Sequence, residues 1–378
     1  MSEKPSVHRA IGGTAAWRRL AVAFYSRVDR DPLLRPLFPG KTLHCAIEEF
    51  TAFLAQLFAG PIEDTQRRWW LSLRESHLRF RIRHQEKLAW MENMVNAIDD
   101  ARIEEPLRSA LREFFEHSSA YVVNSGEAVH AAESSDPPLD AIRQEIAQRW
   151  EAQRTLDEAV AAVRAGEADR AIAAAEIVQR NRSVFAGLLA LMMGGRNAAL
   201  LRYVQERVIH DTALVRERYA GRTLLHEASA QGNLAMVELL LRLGADQNAQ
   251  DGGGHTPLYC LANEFRTTGG GDVVRVLAQR GANIDAHDGV KHCTALHMAA
   301  RRGNLEIAEA LLDCGARIDA RDSLGDTPLR RAVNCGRIQV AALLLSRGAD
   351  VHSKGNKGLT PLQAARTSAM KQLLRSAC

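Results

Sequence analysis

The sequence has few cysteines, and none of them form a close pair. They stand at positions 45, 260, 293, 314, 335 and 378. Because no Cys-x-x-Cys motif occurs, their spacing favours small free thiols in a reducing compartment over a zinc or disulfide framework. Long apolar runs are also missing, since the best one, Val184–Met193, is shorter than the roughly 18 residues that cross a bilayer. The N-terminus lacks the apolar core of a signal peptide, so we expect a cytoplasmic protein.

The chain lacks a strong excess of one charge. It has 49 Lys and Arg against 45 Asp and Glu, a net charge of +4, and the charges are mixed along the sequence. We therefore predict neither a nucleic acid nor a membrane as a partner. Hydrophobic residues make up 46% of the 378 residues, which is typical of a folded protein with two or three domains.

One pattern recurs five times in the C-terminal part. It is first seen as Gly221-Arg-Thr-Leu-Leu-His-Glu-Ala, and its threonines stand at 223, 256, 294, 327 and 360. The spacing is thus 33 residues except for one interval of 38, which predicts a loop insertion around Phe265–Gly271. Threonine can cap a helix, the proline that often follows it suits the first helical position, and the Gly-Ala pair that closes each unit ends a second helix.

This pattern resembles ankyrin repeats from Gly221 to the end of the chain. The resemblance implies a stack of helix pairs, an α-solenoid, that binds a protein partner. We expect residues 161–220 to be degenerate repeats or an N-terminal cap, with helix pairs in Ala161–Val178 and Ala186–Tyr203. The repeat histidines, His226 and His297, are expected to bond to backbone rather than to a metal.

Residues 1–126 have a different, aromatic-rich helical pattern. Apolar residues at helical spacing predict helices over about 14–30, from about Leu43, from about Gln85 and over about 106–124. Residues 127–160 are predicted to be a linker and a helix, with Ser134–Pro138 as the candidate linker.

An ordered set of landmarks runs through this N-terminal part. It reads Phe24-Tyr25, Asp31-Pro32, Leu37-Phe38-Pro39, Phe53-Leu54-x-Gln56, His77-x-x-Phe80-Arg81-Ile82 and Trp90-x-x-x-Met94. The set resembles a truncated haemoglobin, and Trp90 places it nearest to group II of that family. The resemblance, over about residues 10–125, implies a two-over-two globin fold that holds one haem b. The whole chain is therefore predicted to be all-α.

The resemblance assigns His77 as the ligand of the haem iron. An imidazole leaves the sixth iron position open to O2, NO or CO. Three other histidines are alternative candidates. His84 could share a helical face with His77, His44 starts the helix expected on the distal side, and His117 is expected on the surface of the last helix.

Tyr25 and Trp90 match the family's distal hydrogen-bond donors, which slow the release of a bound gas. Without the other landmarks, both would count only as core aromatics. Apolar contacts to the haem are predicted from Phe38, Ala46, Phe50 and Phe53. Arg81 is a candidate partner for a haem propionate, with an exposed charge as the alternative.

Three functions are compatible with these patterns. The first is a gas-binding haem protein that its ankyrin array attaches to a partner. The second is a haem-dependent oxidoreductase, such as a nitric oxide dioxygenase or a peroxidase, which would need an external reductase. The third is a scaffold that has lost its haem, and the presence of His77, Tyr25 and Trp90 in register argues against it.

Overall fold

The computed structural model describes residues 6–38, 40, 42–65, 71–78, 80–124, 141–195, 197–356 and 358–377. Their regular structure is helical, with only two isolated β-bridges, Tyr219–Arg222 and His287–Thr294, among them. This confirms the all-α fold class. Contacts divide the chain into two compact units, 1–188 and 189–378. None of the helices within the described ranges is both long and apolar enough to cross a membrane.

The first unit opens with helices that follow the predicted landmarks. They are α1 (Val7–Ala10), α2 (Gly13–Val28), α3 (His44–Leu57), α4 (Ile62–Thr65), α5 (Leu73–His77), α6 (His84–Asp100) and α7 (Leu107–Tyr121). Helix α2 packs against α3 and α6, and α6 packs against α7. Their shared interior is aromatic. Trp17 of α2 stacks on Phe58 with 4.9 Å between ring centroids, and its Nε1 donates to His8 Nδ1 at 3.1 Å.

Helix α8 (Ala141–Ala165) also belongs to this first unit. Its Ile146 is 6% exposed and lies in the same hydrophobic core as the residues of α2 and α7. Glu145, which is partly buried, accepts a hydrogen bond from the backbone N–H of Val7 at 2.9 Å. The candidate linker Ser134–Pro138 lies outside the described residues. Because α8 buries apolar side chains in the core of the first unit, it contributes to that core as well as to the connection.

Three helices follow α8: α9 (Ala168–Val178), α10 (Arg182–Gly194) and α11 (Ala198–His210). Helix α9 packs against α8 after a short turn at Gly166, whose φ of 77° suits a residue without a Cβ. The boundary between the two compact units falls within α10. The assignment of residues 161–220, which include α9, α10 and α11, to degenerate repeats stays a prediction.

The second unit continues as a regular series of helix pairs. These are α12 (Leu224–Ala230) with α13 (Leu234–Arg242), α14 (Pro257–Glu264) with α15 (Gly270–Gln279), α16 (Ala295–Arg302) with α17 (Leu305–Asp313), α18 (Pro328–Asn334) with α19 (Ile338–Ser346), and α20 (Pro361–Ala364) with α21 (Ser368–Ser376). The first helices of successive pairs pack on one another, as do the second helices. Each pair therefore buries its apolar face against its neighbours, as a solenoid requires.

The repeat threonines cap the first helices as predicted. The hydroxyls of Thr256 and Thr327 each accept the backbone N–H three residues later at 3.3 Å, and a proline fills the next position in both units. The side-chain oxygen thus satisfies a backbone donor that the helix itself leaves without a partner.

The repeat histidines bond to backbone across neighbouring units. His226 is fully buried, and its Nδ1 accepts from the Thr223 N–H at 3.1 Å. Its Nε2 donates to the carbonyl of His255 in the next repeat at 3.1 Å. His297 makes the same contacts, to Thr294 and to the carbonyl of Asp326. Burial lowers the pKa of His226 to about 4 and lowers the pKa of His297 as well, so both imidazoles are neutral links between repeats.

The long unit contains two separate insertions. Between α14 and α15 the loop is Phe265–Gly269, and the prediction that Gly270 and Gly271 belong to it was wrong, because both begin α15. The remaining extra residue lies between Ala282 and Thr294, in the turn before α16. Phe265 is 8% exposed, and a Cβ on Gly270 would come within 2.9 Å of its ring. Phe265 therefore packs the start of the loop into the array, while residues 266–269 are exposed.

Replacing His226 with glutamine should make the array less sensitive to acid. The unfolded imidazole gains a proton below about pH 6.5, whereas the folded one stays neutral until about pH 4 because it is buried. Between these two pH values the unfolded state binds more protons than the folded state. The free energy of unfolding therefore decreases as the pH is lowered, by about 2 kcal/mol at about pH 5. Glutamine is a matched replacement, since Gln363 occupies the same slot in the last repeat and accepts from the Thr360 N–H.

Hydrogen exchange of the α12 and α14 amides, corrected for intrinsic rates, measures this effect at about pH 7.5 and pH 5. The wild-type chain should lose more protection on acidification than His226→Gln does. An equal loss in both chains would contradict the assignment.

Candidate cofactor pocket

The first unit contains a cavity of about 580 Å³ among α2, α3, α5, α6, α7 and α8. Most of the side chains around it are apolar or aromatic, with a few polar groups. Seven of the predicted site residues line it: Tyr25, Phe38, Ala46, Phe50, Phe53, His77 and Trp90. The cavity lies within the size range of pockets that bind organic ligands, and its apolar lining suits a flat apolar molecule. Residues far apart in the sequence thus meet at one site.

His77 is the last residue of α5, and its imidazole has a fixed orientation. Its Nδ1 lies 2.7 Å from the carbonyl oxygen of Leu73 and 2.9 Å from Ser76 Oγ. A carbonyl oxygen can only accept, so Nδ1 carries the proton and Nε2 carries the lone pair. This is the tautomer in which an imidazole binds a metal through Nε2 while its other nitrogen is anchored to the protein.

The last carbonyl of α5, that of His77, bonds to a side chain outside the helix. The side chain of Asn124, beyond α7, donates to the carbonyls of His77 at 3.1 Å and Phe80 at 2.9 Å. Its Oδ1 accepts from the Ile82 N–H at 3.0 Å. The sequence segment after His77 therefore becomes a loop attached to α7, and the possibility that His77 and His84 share a helical face was wrong. His84 starts α6 instead.

The three alternative histidines lie at the surface. His84, His44 and His117 are all exposed, and none of them is among the residues that line the cavity. His77 alone of these four side chains reaches the cavity wall.

Tyr25 and Trp90 reach the cavity from α2 and α6. The ring of Tyr25 packs edge-on against Phe38 at 5.5 Å and against Phe50 at 6.2 Å, and the residue is 9% exposed. Phe24 lies between the two, with its ring 5.1 Å from that of Tyr25 and 5.2 Å from that of Trp90. The hydroxyl and the indole N–H are thus donors on rings whose positions are fixed by packing.

A line of ring contacts joins the tyrosine to the histidine. Phe38 packs on Phe80 at 5.3 Å between centroids, and Phe80 packs edge-on against His77 at 6.2 Å. Because Tyr25 also contacts Phe38, a continuous row of ring contacts runs from Tyr25 to His77. These are the two side chains that the sequence predicts on opposite sides of a cofactor.

The charged residues that line the cavity do not include Arg81, which the sequence suggested as a partner for a haem propionate. Arg81 is exposed and is not among the lining residues. The charged residues that line the cavity are Lys87 and the buried Glu86, both on α6, and Glu49 of α3. A hydrogen bond from Arg83 lowers the pKa of Glu86 to about 2, so this carboxylate is charged and already paired. Among the described residues that line the cavity, Lys87 is the cation that could meet an acidic group of a ligand.

Trp150 of α8 is a lining residue that sequence reasoning missed. Its ring packs edge-on against Phe114 at 5.7 Å and against Tyr121 at 5.3 Å. The sequence does contain a pattern that predicts its burial. Ile142, Ile146 and Trp150 are spaced by four residues and therefore share one apolar helix face. Such a face needs a partner, and here the partner is the aromatic core of the first unit.

The donor set fits a haem. A porphyrin needs two apolar walls, and the cavity supplies Phe38, Phe50, Phe80 and Trp90 among others. Its iron needs a nitrogen lone pair, which the anchored imidazole of His77 has on Nε2.

Comparison with known proteins supports this fit. The family model described as bacterial-like globin matches residues 6–124. The chain is 34% identical over 110 residues to the group 2 truncated hemoglobin YjbI of Bacillus subtilis, and the match covers 29% of this chain and 83% of that protein. The match to the globin model ends before α8 begins.

The second unit matches a different family. The model for ankyrin repeats in three copies matches residues 188–288 and 269–355. Similar proteins include ankyrin repeat and SOCS box protein 11 of Danio rerio, 41% identical over 105 residues, covering 28% of this chain and 34% of that protein. The human ankyrin repeat and SOCS box protein 16 is 35% identical over 126 residues, covering 33% of this chain and 27% of that protein.

The chain thus spans about a third or less of these ankyrin-containing relatives, whereas it spans most of the globin relative. The chain belongs to the truncated haemoglobin family through its N-terminal domain and carries an array of ankyrin repeats behind it.

Proposed function

We propose that the N-terminal domain binds one haem b through His77 and takes up O2, or another diatomic gas such as NO or CO. The observation that supports this most directly is the imidazole of His77, anchored through Nδ1 at the wall of an aromatic cavity. Bound haem supplies an iron with a sixth coordination position at which such gases bind reversibly.

The protein's own part is to orient the ligand and to exclude water. The Leu73 carbonyl fixes the plane and tautomer of His77, which raises the basicity of Nε2. The rings of Phe38, Phe50 and Phe80 provide an apolar surround in which a hydrogen bond is stronger than in water.

Tyr25 and Trp90 act as hydrogen-bond donors to the gas. Each carries one N–H or O–H on a ring that lines the cavity, and Phe38, the neighbour of Tyr25, has no polar group. The hydroxyl of Tyr25 and the indole N–H of Trp90 therefore set how long a gas that accepts hydrogen bonds stays bound.

The ankyrin array serves as the protein-binding part of the chain. Stacked helix pairs present an extended surface of exposed helix and turn residues, which is the usual use of such solenoids. The fusion thus attaches a gas-binding domain to a protein partner.

Replacing His77 with alanine should abolish stable haem binding. Alanine removes the nitrogen donor while it leaves the apolar walls in place, so any residual haem should dissociate fast and show an altered Soret band. His84→Ala is the matched control, since His84 is an exposed histidine seven residues further on, outside the cavity lining. Absorption spectra of the ferrous chains, with and without CO, make the comparison. Unchanged spectra for His77→Ala would refute this ligand assignment.

Replacing Tyr25 with phenylalanine should speed O2 release. The loss of one hydrogen bond to a partly charged acceptor corresponds to a rate increase of roughly tenfold or more, with little change for CO, which accepts hydrogen bonds poorly. Stopped-flow measurement of O2 and CO dissociation gives both rates. Tyr203→Phe, a buried tyrosine of α11, serves as the control. An unchanged O2 rate in Tyr25→Phe would assign this tyrosine to packing alone.

A further inference from the structure

The helix that carries His77 is too short to satisfy its own backbone. Helix α5 has five residues, and the N–H groups at its start find partners outside it. Ser72 Oγ accepts from the Glu75 N–H at 3.0 Å. The carboxylate of Asp157, on α8, accepts from the Leu73 N–H at 2.9 Å and from the Arg74 N–H at 3.3 Å.

Asp157 is buried and fixed in place by a second side chain of α8. It is 4% exposed, and Gln153, which is 5% exposed, donates from Nε2 to Asp157 Oδ1 at 2.8 Å. The same Nε2 lies 3.2 Å from the carbonyl of Leu71, just before α5. A buried carboxylate is costly unless hydrogen bonds satisfy it, so this arrangement is tightly constrained.

One peptide group connects Asp157 to His77. The carbonyl of Leu73 accepts from His77 Nδ1, and the N–H of the same peptide group, that of Arg74, donates to Asp157 Oδ2. Hydrogen bonds in such a chain polarise one another, so the carboxylate makes the Leu73 oxygen a stronger acceptor. A stronger acceptor at Nδ1 makes the imidazole a better electron donor through Nε2.

Further contacts join α8 to the same region. Arg164 pairs with Glu75 at 2.9 Å, although this ion pair is largely exposed. The guanidinium of Arg74 lies over the ring of Tyr121 at 4.6 Å, and Tyr121 packs on Trp150 of α8, which lines the cavity. Helix α8 therefore contacts both the His77 helix and the cavity, although it lies beyond the residues that match the globin model.

We propose that Asp157 is a positioning residue for His77, which fixes helix α5 and, through the Leu73–Arg74 peptide group, strengthens electron donation from the imidazole to the iron. Helix α8 is thereby a part of the haem site that this chain adds to the globin domain. The inference rests on the proposed function, since it takes His77 as the iron ligand.

The test uses the full-length chain with Asp157→Ala and Asp157→Asn. In the ferrous state, resonance Raman spectroscopy should show the iron–histidine stretching band at lower frequency in Asp157→Ala, with Asp157→Asn between it and the wild type. Haem loss to a haem-scavenging apoprotein should become roughly tenfold faster in Asp157→Ala, a typical cost of removing an outer partner of a metal ligand.

Two other residues of α8 provide controls. Glu158 is an exposed carboxylate next to Asp157, so Glu158→Ala should match the wild type. Ile146 lies in the core and has no polar atom with which to cap α5. Ile146→Ala should therefore reduce stability without lowering the iron–histidine frequency, which separates positioning from a general loss of packing.

Hydrogen exchange of the haem-free chains tests the contact between Asp157 and α5 separately from haem binding. Asp157→Ala should lose protection at the amides of Leu73 and Arg74 whether or not haem binds. If the wild-type chain takes up no haem, the proposed function fails. If haem binds but the iron–histidine band and the rate of haem loss are the same in wild type and Asp157→Ala, the positioning role is refuted and haem binding through His77 stands.

Discussion

The five residues of α5 carry His77, the proposed iron ligand, and so short a helix is not stable by itself. Its hydrogen bonds cannot offset the cost of ordering it, so its conformation depends on groups from other elements. Asp157 and Ser72 bind its first N–H groups, and Asn124 binds the carbonyl of its last residue. The direction in which His77 points is therefore set by three separate parts of the chain.

In the ankyrin array, neighbouring repeats supply the contacts that stabilise the helices. Each of its helices is also short, and each helix pair depends on its neighbours. His226 and His297 join successive units by accepting within one repeat and donating to a carbonyl of the next. A single local sequence pattern therefore supplies both the cap of a helix and the contact to the following repeat. In the globin domain, by contrast, each such contact is made once and by residues that are far apart in the sequence.

This difference explains what could be predicted from the sequence. The repeat array could be recognised from its period, because its contacts recur at fixed spacing. Seven residues of the cavity wall could be named from ordered landmarks, since Tyr25, His77 and Trp90 keep the register of a known family. The contacts of Asp157 and Asn124 follow no local pattern, because they depend on where α7 ends and on how α8 packs against α5. The placement of Arg81 outside the cavity, with Lys87 at its wall, depends on the loop that Asn124 forms after His77.

The packing of α8 has a consequence for the order of events during synthesis. Residues 6–124 match the globin model, yet the carboxylate that caps α5 and the tryptophan that closes part of the cavity belong to a helix that ends at Ala165. On the ribosome, the wall that carries His77 is therefore incomplete until this later segment has also emerged. At translation rates of about 5–20 residues per second, that interval lasts a few seconds, during which the nascent globin domain exposes its aromatic pocket.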